Sequence, residues 1–416
     1  MTDTAIPEGA EPASPTAAQL EQARAHFMIG NQHFEADRLD DARACFEAAL
    51  ALAPGRPSVL ANLGVTLFRL GHWAEAIVRL ESATTADAAQ ADAWLALGLS
   101  RKQLSHWPQA AAALRQAVRQ KHVTAAAWLA LGQCEERTGN MQAALHAFEQ
   151  SLALDDGLAE AWGARGGLLQ LAMRHAEAAQ CFERAIALGA DEALHRFYLA
   201  SVRGEAAPSG PPRAYVESLF DQYAGDFEEH LVQVLGYRAH ETLLQPLLAH
   251  TARYPLVLDL GCGTGLCART LRHSADAIDG VDLSRSMVEQ SRATGLYRRV
   301  VHDDLLPFLA ASDEPVDLVV AADVFIYVGD LQAVFAAVRR RLRVSGCFAF
   351  SVEIHAGPQD FQLMPSMRYA HAGAYLRRLA AEYGFRIERQ WEATLRLDKQ
   401  GPIMGLYVHL RTNSAR

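Results

Sequence analysis

The chain has few of the features that mark secreted, metal-binding or membrane proteins. Only six of its 416 residues are cysteines, and they form no CxxC pair and no cysteine–histidine spacing of a zinc site. No apolar run approaches the length needed to cross a bilayer. No ligand cluster indicates a bound metal. We therefore expect reduced thiols, no metal centre and no membrane partner.

Positive charge in excess is also missing. The net charge is -9, and neither half of the chain contains a contiguous basic stripe. Nucleic acid is a poor partner for such a surface, because phosphate binding relies on clustered Lys and Arg. The first residues, MTDTAIPEGAEPASPTAAQ, have neither the basic start nor the apolar core of a secretory signal. We expect a cytoplasmic protein that begins with a disordered leader over residues 1–19.

What the first half does contain is a repeat of 34 residues. The length of the chain already indicates two or more domains. Each of five units carries a glycine, then an alanine, then a large apolar residue four positions after the alanine. These triplets are Gly30, Ala42 and Phe46; Gly64, Ala76 and Leu80; Gly98, Ala110 and Leu114; Gly132, Ala144 and Phe148; and Gly166, Ala178 and Phe182.

A period of this length indicates stacked pairs of helices. A small residue lets two helices approach, and a large residue four positions along the same face fills the adjacent gap. One pair cannot bury its apolar face alone, so the units stack into an α-solenoid. The pattern resembles the tetratricopeptide repeat, most closely at Phe46, Ala49 and Pro54. The resemblance implies five repeats and a capping helix over residues 20–203, with a protein or peptide partner in the concave groove.

The second half alternates strand-like and helix-like segments. It follows GEAAPSGPPR, where adjacent prolines cannot continue a helix, so we predict a linker at 204–213 and a second domain at 214–416. The alternation is typical of a doubly wound α/β sheet, whose ligands sit at the carboxyl ends of the strands. We place strands near Leu256–Leu260, Ala277–Val281, Arg299–His302, Val316–Ala321 and Gly346–Val352, and helices near Gly265–Arg272, Ser284–Thr294, Asp330–Arg341 and His371–Tyr383.

The most informative motif is VLDLGCGTGLCA at 257–268, where an apolar run ends in an acid and three glycines. A phosphate-binding P-loop needs GxxxxGK followed by Ser or Thr, and no such string occurs. The dinucleotide fingerprint needs a third glycine where Leu266 stands. What remains is GxGxG preceded by an acid, with a second acid, Asp282, 17 residues after Gly265.

These features resemble the class I S-adenosylmethionine-dependent methyltransferases, over about Tyr215 to Thr412. The resemblance implies a Rossmann-like sheet of seven mostly parallel strands with S-adenosyl-L-methionine as cofactor. It also implies that the glycine turn passes under the amino-acid part of the cofactor and that Asp282 bonds the ribose hydroxyls. An acid after strand three belongs near the adenine amine, and we prefer Asp304 to Asp303. The cofactor-binding residues implied are Asp259, Gly261, Gly263, Gly265, Asp282, Leu283, Asp303, Asp304 and Tyr223.

Tyr223 belongs to a segment rich in aromatic residues, YVESLFDQYAGDFEEHLVQVLGY, which lies upstream of the glycine turn. One interpretation is an amphipathic helix packed on the edge of the sheet. The other is a lid over the cofactor, as in many class I methyltransferases, with Tyr223 as the contact. The combination of FDxYAxxF, AADVFIY and SMRYAH resembles a group of bacterial predicted methyltransferases that carry tetratricopeptide repeats in front.

Transfer of a methyl group from a sulfonium needs alignment and exclusion of water more than it needs a base. The resemblance places acceptor-facing residues at Asp323, with Tyr327 one turn later. The NPPY or DPPY signature of base methylation is absent, which weighs further against nucleic acid. Candidate bases are His355 and His371. Arg368 and Tyr369 are available to bind an anionic or polar acceptor.

Three hypotheses for the function remain at this point. The first is a methyltransferase for a small-molecule acceptor, with the repeats docking a partner or the substrate. The second is a protein methyltransferase whose substrate is held by the repeats. The third is a non-catalytic scaffold whose methyltransferase fold only senses the cofactor. An NAD-binding domain is disfavoured by the missing third glycine.

Overall fold

The computed structural model describes residues 15–121, 123–204, 208–223, 236–249, 253–398 and 401–413. These residues form two compact units that divide after residue 172, inside the fifth predicted repeat. The domain boundaries predicted near residues 20, 204 and 214 stay predictions. Of the predicted leader, residues 1–14 lie outside the described residues, and the first helix begins within the leader, at Ala17.

The first unit consists, as far as it is described, of helices joined by short turns. Its helices are α1 Ala17–Glu35, α2 Leu39–Leu52, α3 Pro57–Arg69, α4 Trp73–Ala86, α5 Ala91–Gln103, α6 Trp107–Ala117, α7 Ala125–Arg137, α8 Met141–Leu154 and α9 Ala159–Leu171. They pair consecutively, which is the arrangement that the 34-residue period predicts. No helix in the described ranges is long and apolar enough to cross a membrane.

The repeated glycines mark the places where the two helices of a pair touch. A Cβ atom added to Gly64 would lie 2.5 Å from Cγ of Leu80, and one added to Gly132 would lie 2.4 Å from Cε1 of Phe148. Both large side chains are fully buried. The helices approach this closely only because the glycine has no side chain, so the packing inferred from the period is confirmed.

The turn inside each pair also repeats. In each of these turns one residue has a left-handed backbone, with φ of +59° at Asp37, +80° at Gly71, +59° at Ser105 and +79° at Gly139. These positions are 34 residues apart, although only two of them are glycines. The backbone bonds across the turn are equivalent too, as in Asp37 N–H to the Phe34 carbonyl at 3.1 Å. The turn geometry therefore follows from the helix packing on both sides more than from the residue in it.

The second unit combines helices with one mixed sheet. Its helices are α10 His175–Ala187, α11 Glu192–Arg203, α12 Arg213–Tyr223, α13 Ala239–Leu248, α14 Leu266–Leu271, α15 Arg285–Ala293, α16 Leu305–Ala310, α17 Gln332–Arg341 and α18 Gly373–Glu382, with a 3₁₀ turn at Phe325–Tyr327. Its strands are β1 Tyr254–Leu260, β2 Ala275–Asp282, β3 Arg299–His302, β4 Val316–Ala321, β5 Leu342–Ile354, β6 Phe361–Leu363, β7 Tyr369–His371, β8 Phe385–Asp398 and β9 Gly401–Thr412.

The sheet runs β3-β2-β1-β4-β5 in parallel, and β5 then pairs with antiparallel β9, which pairs with β8. These seven strands match the predicted seven-stranded, mostly parallel sheet. The short strands β6 and β7 form a hairpin that pairs with the end of β5, at Glu353 opposite Ala370. His371, predicted to begin a helix, ends β7 instead.

Helices cover both faces of this sheet. Alternate residues of β1 point to opposite sides, so that Leu256 and Leu258 join the core under α16, α17 and α18, while Val257 joins the core under α13 and α14. All three are almost completely buried. With both faces covered, the exposed functional edge is the one where the parallel strands end.

Candidate active site

A cavity of about 800 Å³ opens at the carboxyl ends of β1, β2, β3 and β4. Most residues predicted for the cofactor and for the acceptor lie on its wall. They are Gly261, Gly263, Asp282, Leu283, Asp303, Asp304, Asp323 and Tyr327. The sequence therefore identified two groups of residues that the fold brings into one cavity.

The floor of the cavity is the bare turn after β1. Gly261 has φ of +64°, and an added Cβ atom would lie 2.5 Å from Cγ2 of Val324, in the loop after β4. Gly263 has φ of +53°, and its Cβ position is open space. The first glycine therefore allows two loops to approach, and the second leaves backbone exposed to a ligand.

Asp282 is fixed at the end of β2 by the same turn. One carboxylate oxygen accepts the N–H of Gly263 at 2.9 Å, and the other accepts the N–H of Ser284 at 2.9 Å. Burial raises the pKa of Asp282, and these backbone donors oppose that shift. These backbone donors set the direction of the carboxylate before any ligand arrives, and a carboxylate offers about four acceptor positions, more than the backbone uses.

Asp259 and Gly265, also predicted to bind the cofactor as part of the turn, do not lie on the described part of the cavity wall. Asp259 is buried beneath the turn, where Oδ2 accepts the hydroxyl of Tyr297 at 2.7 Å and Oδ1 has no partner among the described residues. Burial raises the pKa of Asp259 to about 7. Gly265 contacts α15, with its Cβ position 3.2 Å from Cγ2 of Thr294. Both residues support the turn from below.

The acids after β3 lie near the beginning of α16. The N–H of Asp304 donates to Oδ1 of Asp303 at 2.8 Å, while the Asp304 side chain makes no capping bond in the described structure. Arg213, from α12, also lines this part of the cavity and is paired with Glu217 at 2.7 Å. The pKa of Arg213 is raised, first by Glu217 and then by Asp304 and Asp303. This end of the cavity therefore offers carboxylates beside one arginine.

The end of the cavity that contains Asp323 and Tyr327, which we call the acceptor end, also contains an ion cluster that the sequence did not indicate. Nη1 of Arg396, in β8, donates to both carboxylate oxygens of Asp323 at 3.0 Å, and Nη2 pairs with Glu353 in β5. Arg396 is buried and also lines the cavity. Asp323 itself has φ of +58°, and its N–H donates to Oγ of Ser351 at 2.9 Å. Asp323 is thus held in place by a charge partner, unlike a free general base.

The signal for this cluster in the sequence is weak. Arg396 stands between Leu395 and Leu397 in a strand that alternates charged and apolar residues, which is also the pattern of an ordinary solvent-facing strand. Glu353 ends a long apolar run, where a polar residue is expected at the end of a strand. Only the pairing of β5 with β9 and of β9 with β8 brings the two into contact.

Tyr327 lies near this cluster, and its hydroxyl stays protonated. Burial raises the pKa of Tyr327, and Arg368 opposes the shift. The hydroxyl is therefore a hydrogen-bond donor at neutral pH. The ring of Phe220, in α12, packs edge-on against the ring of Tyr327 at 5.3 Å between centroids. The contact connects the covering helix to the acceptor end.

The two histidines predicted as bases do not lie on the described wall of the cavity. His371 is fully buried, and its Nε2 atom bonds the carbonyls of Val328 at 3.0 Å and Gly329 at 2.9 Å. Burial lowers the pKa of His371 to about 4, so the ring is neutral and structural. His355 accepts the N–H of Gly357 at its Nδ1 atom, 3.1 Å away. Neither is placed to take a proton from a ligand in this cavity.

The end of the predicted linker forms part of the wall. Ser209, Gly210 and Pro211 line the cavity. The Ser209 carbonyl accepts the N–H of Gly329 at 2.8 Å, and the Pro208 carbonyl accepts the hydroxyl of Tyr369 at 2.7 Å. Residues 208–212, which we call the strap, are thus bonded to the acceptor side and do not act as a free spacer.

Helix α12 continues from the strap across the opening. Val216, Leu219 and Phe220 line the cavity, and the helix also contacts α15 on the opposite side. This position supports the lid interpretation of the aromatic segment. Tyr223 ends α12, but its side chain lies outside the described structure. Its role as the lid contact stays a prediction.

Family matches follow the division seen in the fold. The methyltransferase domain family matches residues 257–346, and two tetratricopeptide repeat families match residues 33–99 and 95–161. The second half therefore carries an S-adenosylmethionine-dependent methyltransferase domain, and the first half carries tetratricopeptide repeats. The predicted classes of both halves and the predicted cofactor are confirmed.

Three curated relatives are similar to parts of the chain. Malonyl-(acyl-carrier protein) O-methyltransferase of Geobacter sulfurreducens is 32% identical over 144 residues, which are 34% of this chain and 53% of that protein. Methyltransferase-like protein 27 of Homo sapiens is 36% identical over 24% of this chain and 41% of its own. Dimethylglycine N-methyltransferase of Parasynechococcus marenigrum is 33% identical over 26% of this chain and 41% of its own length. The chain spans about half the length, or less, of these relatives.

Solved structures of both kinds are also similar. YrrB, described as a TPR protein with an unusual peptide-binding site, is 22% identical with a TM-score of 0.38, over 41% of this chain and 87% of its own. Magnesium protoporphyrin IX methyltransferase from Synechocystis PCC 6803, with bound SAH, is 17% identical with a TM-score of 0.38, over 48% and 99%. Both scores are below 0.5, so the fold assignment rests on the strand order and the family matches.

Proposed function

We propose that this chain is an S-adenosylmethionine-dependent methyltransferase for a small-molecule acceptor, with repeats that dock a protein or peptide partner. The observation that carries the proposal is the single cavity that joins the bare glycine turn and Asp282 to Asp323 and Tyr327. Its volume of about 800 Å³ lies within the usual range of small-molecule sites, about 300–1,000 Å³.

The residues on the wall fit the cofactor. Asp282 would accept the two ribose hydroxyls, since a carboxylate offers about four acceptor positions, more than its backbone donors use. Asp304 would bind the adenine amine, with Leu283 against the same part of the cofactor. The open Cβ position of Gly263 would admit the amino-acid part. Bound S-adenosylmethionine supplies an activated methyl group.

The chain's own residues would position the acceptor and exclude water. The strap and α12 cover the cavity on the side away from the sheet, and the Tyr327 hydroxyl can donate a hydrogen bond to the acceptor. Asp323, fixed by Arg396, can accept one from an acceptor O–H or N–H. Alignment and exclusion of water provide most of the acceleration in such a reaction.

The cover of the cavity supports a small acceptor over a protein substrate. Strap residues are bonded across to Gly329 and Tyr369, and an intact polypeptide would have to displace them. Two relatives are named for acceptors that contain a small acid, malonyl on a carrier protein and dimethylglycine. A small acceptor, free or carried on a protein that the repeats dock, is consistent with both halves of the chain.

The first helices of the repeats, which the resemblance predicts to line the concave groove, support docking of a protein or peptide partner. Their polar side chains bond from one repeat to the next, as Asn62 does to Asn31 at 2.7 Å and Gln133 to Glu160 at 2.6 Å. Lys102 pairs with Gln133 in the same row. Apolar residues such as Phe34 and Leu99 lie beside this row. The groove therefore offers a preformed, mixed surface of the kind that binds extended segments.

Calorimetric titration with S-adenosylhomocysteine tests the proposal. Asp282→Ala should weaken binding about ten-fold to about ten-thousand-fold, because it removes one or two charged hydrogen bonds of about 1.5–3 kcal/mol each. Asp276→Ala is the matched control, since Asp276 starts the same strand, is exposed and pairs with Arg253. We expect the control to bind like the intact chain. Absence of binding to the intact chain, or equal loss in both variants, would contradict the proposal.

A further inference from the structure

Arg368 enters the cavity wall from a rigid turn. It follows Met367, whose backbone is left-handed with φ of +64°, in the loop between β6 and β7. The N–H of Met364 donates to the Arg368 carbonyl at 2.8 Å, and the N–H of Met367 donates to the Met364 carbonyl at 2.9 Å. These bonds close the turn and fix the backbone position from which the arginine side chain extends.

The next residue anchors this turn to the rest of the unit. Tyr369 is fully buried, packs its ring 6.3 Å from Phe197 of α11, and donates its hydroxyl to the Pro208 carbonyl at 2.7 Å. The turn is therefore held on one side by the sheet and on the other by the strap and α11. A guanidinium on such a support is pre-organised for a ligand.

Arg368 differs from its neighbours in having no ion-pair partner among the residues that the structure describes. The other cavity arginines have acid partners, Arg396 with Asp323 and Glu353, and Arg213 with Glu217. Arg368 is half-buried, and it lies close enough to Tyr327 and Glu353 to oppose the rise in the pKa of both, but no carboxylate within the described part of the chain forms an ion pair with it. The two parallel N–H groups of a guanidinium are suited to a carboxylate, which accepts one hydrogen bond from each.

We propose that Arg368 binds a carboxylate of the methyl acceptor, so that the acceptor is a small carboxylic acid or a derivative that keeps one carboxylate. The proposal rests on the proposed function. A carboxylate is favoured over a phosphate dianion because Asp323, Glu353 and Asp330 lie in or beside the same end of the cavity. Among the described cavity residues, Arg368 is the arginine without an ion-pair partner, and a second negative charge on the ligand would be repelled by these acids.

Ligand-observed NMR titration of the full chain, saturated with S-adenosylhomocysteine, tests this assignment. The probes are propionate, its uncharged methyl ester and methyl phosphate. We expect propionate to bind more tightly than the other two. Arg368→Gln should weaken propionate binding about ten- to hundred-fold, because both charge and fork are lost. Arg368→Lys should retain part of the affinity, since it keeps the charge alone.

The control variant is Arg377→Gln, which removes an exposed arginine from α18, away from the cavity wall. It should bind propionate and S-adenosylhomocysteine like the intact chain. Failure of propionate to bind the saturated intact chain, tighter binding of methyl phosphate, or equal propionate affinity in Arg368→Gln would overturn the assignment to an acceptor carboxylate.

Cofactor affinity separates this assignment from the proposed function. If Arg368→Gln lost S-adenosylhomocysteine affinity, the arginine would hold the cofactor's own carboxylate, and the assignment to the acceptor would be wrong. If the intact chain did not bind S-adenosylhomocysteine at all, the proposed function would fail and this inference with it. Normal S-adenosylhomocysteine binding in Arg368→Gln, with propionate binding lost, is the result expected.

Discussion

Glycine serves two different purposes in the two units. In the repeats, the ring of Phe148 fills the space where a side chain of residue 132 would lie, 2.4 Å from the Cβ position of Gly132. In the sheet unit, Gly263 has nothing near its Cβ position, and its positive φ exposes backbone to the cavity. The first glycine serves a contact within the protein, and the second leaves room for a ligand. Glycine spacing alone therefore does not define a site until the φ angle and the neighbours are known.

The same contrast holds for the rest of each unit. The repeats use one contact many times, so a change in one repeat should alter stability and leave ligand binding unchanged. The active-site residues of the sheet unit occur once each, and several are held at a cost in stability. Four substitutions test this contrast, in order of expected effect, with Tyr297→Phe as the companion of Asp259→Asn.

Phe148→Ala should lower the free energy of unfolding by about 3–5 kcal/mol, because it empties a fully buried site in the repeats. Denaturant unfolding of the full chain measures the loss. Leu154→Ala, on the same helix at an exposed position, is the control and should change stability by less than about 0.5 kcal/mol. Weaker S-adenosylhomocysteine binding in Phe148→Ala, by ten-fold or more, would contradict the claim that the repeats contribute to stability and not to cofactor binding.

Asp259→Asn should change the pH dependence of stability. Burial raises the pKa of Asp259 to about 7 from an unfolded value near 4, so the folded chain binds the extra proton between pH about 4 and 7. Stability therefore falls as the pH rises through that window, by about 2–4 kcal/mol. The asparagine cannot ionise, so the variant should lose this decline. Unfolding at several pH values measures it.

Tyr297→Phe is the companion variant for the Asp259 experiment. The Tyr297 hydroxyl donates to Asp259 and opposes the rise in its pKa, while the ring fills space beside Gly280. The phenylalanine keeps the ring and removes the donor, so the pKa of Asp259 should rise further and the decline should extend to higher pH. An unchanged pH profile in both variants would show that Asp259 is not the group responsible.

Tyr369→Phe should have the smallest effect, a loss of about 0.5–1.5 kcal/mol, because it removes one hydrogen bond to the strap. It should also speed amide exchange at Gly329 and Asp330, whose N–H groups donate to Ser209. Tyr407→Phe is the control, since its hydroxyl bonds the Thr394 carbonyl at 3.0 Å, in the β8–β9 pair. Equal exchange rates in both variants would argue against the strap as part of the acceptor wall.

The sequence predicted the elements whose reasons are local or periodic. Helix pairs followed from the 34-residue period, and the first five strands followed from apolar runs that end in turn residues. Asp282 was found as the acid that ends the second strand, after the glycine turn, and Asp303 and Asp304 were implied by the methyltransferase resemblance, which places an acid after strand three. These residues do line one cavity.

What the sequence did not predict depends on contacts between distant residues. Arg396 and Asp323 are 73 residues apart, and only the pairing of the last two strands brings them together. His355 was predicted to follow the fifth strand and His371 to begin a helix, and loop and helix-start positions are usually exposed, yet His371 is fully buried at the end of β7. The β6–β7 hairpin has strands of three residues, too short for a periodic signal.

Hydrogen exchange of the full chain, with and without S-adenosylhomocysteine, tests the central claim that the cofactor site lies wholly in the second unit. We expect slower exchange in peptides that contain the glycine turn, residues 257–268, the end of β2, and α12, because a ligand there would bond or cover their backbone. Residues 15–172 should exchange at unchanged rates. Protection confined to the repeats, or binding without protection at 257–268, would contradict the account.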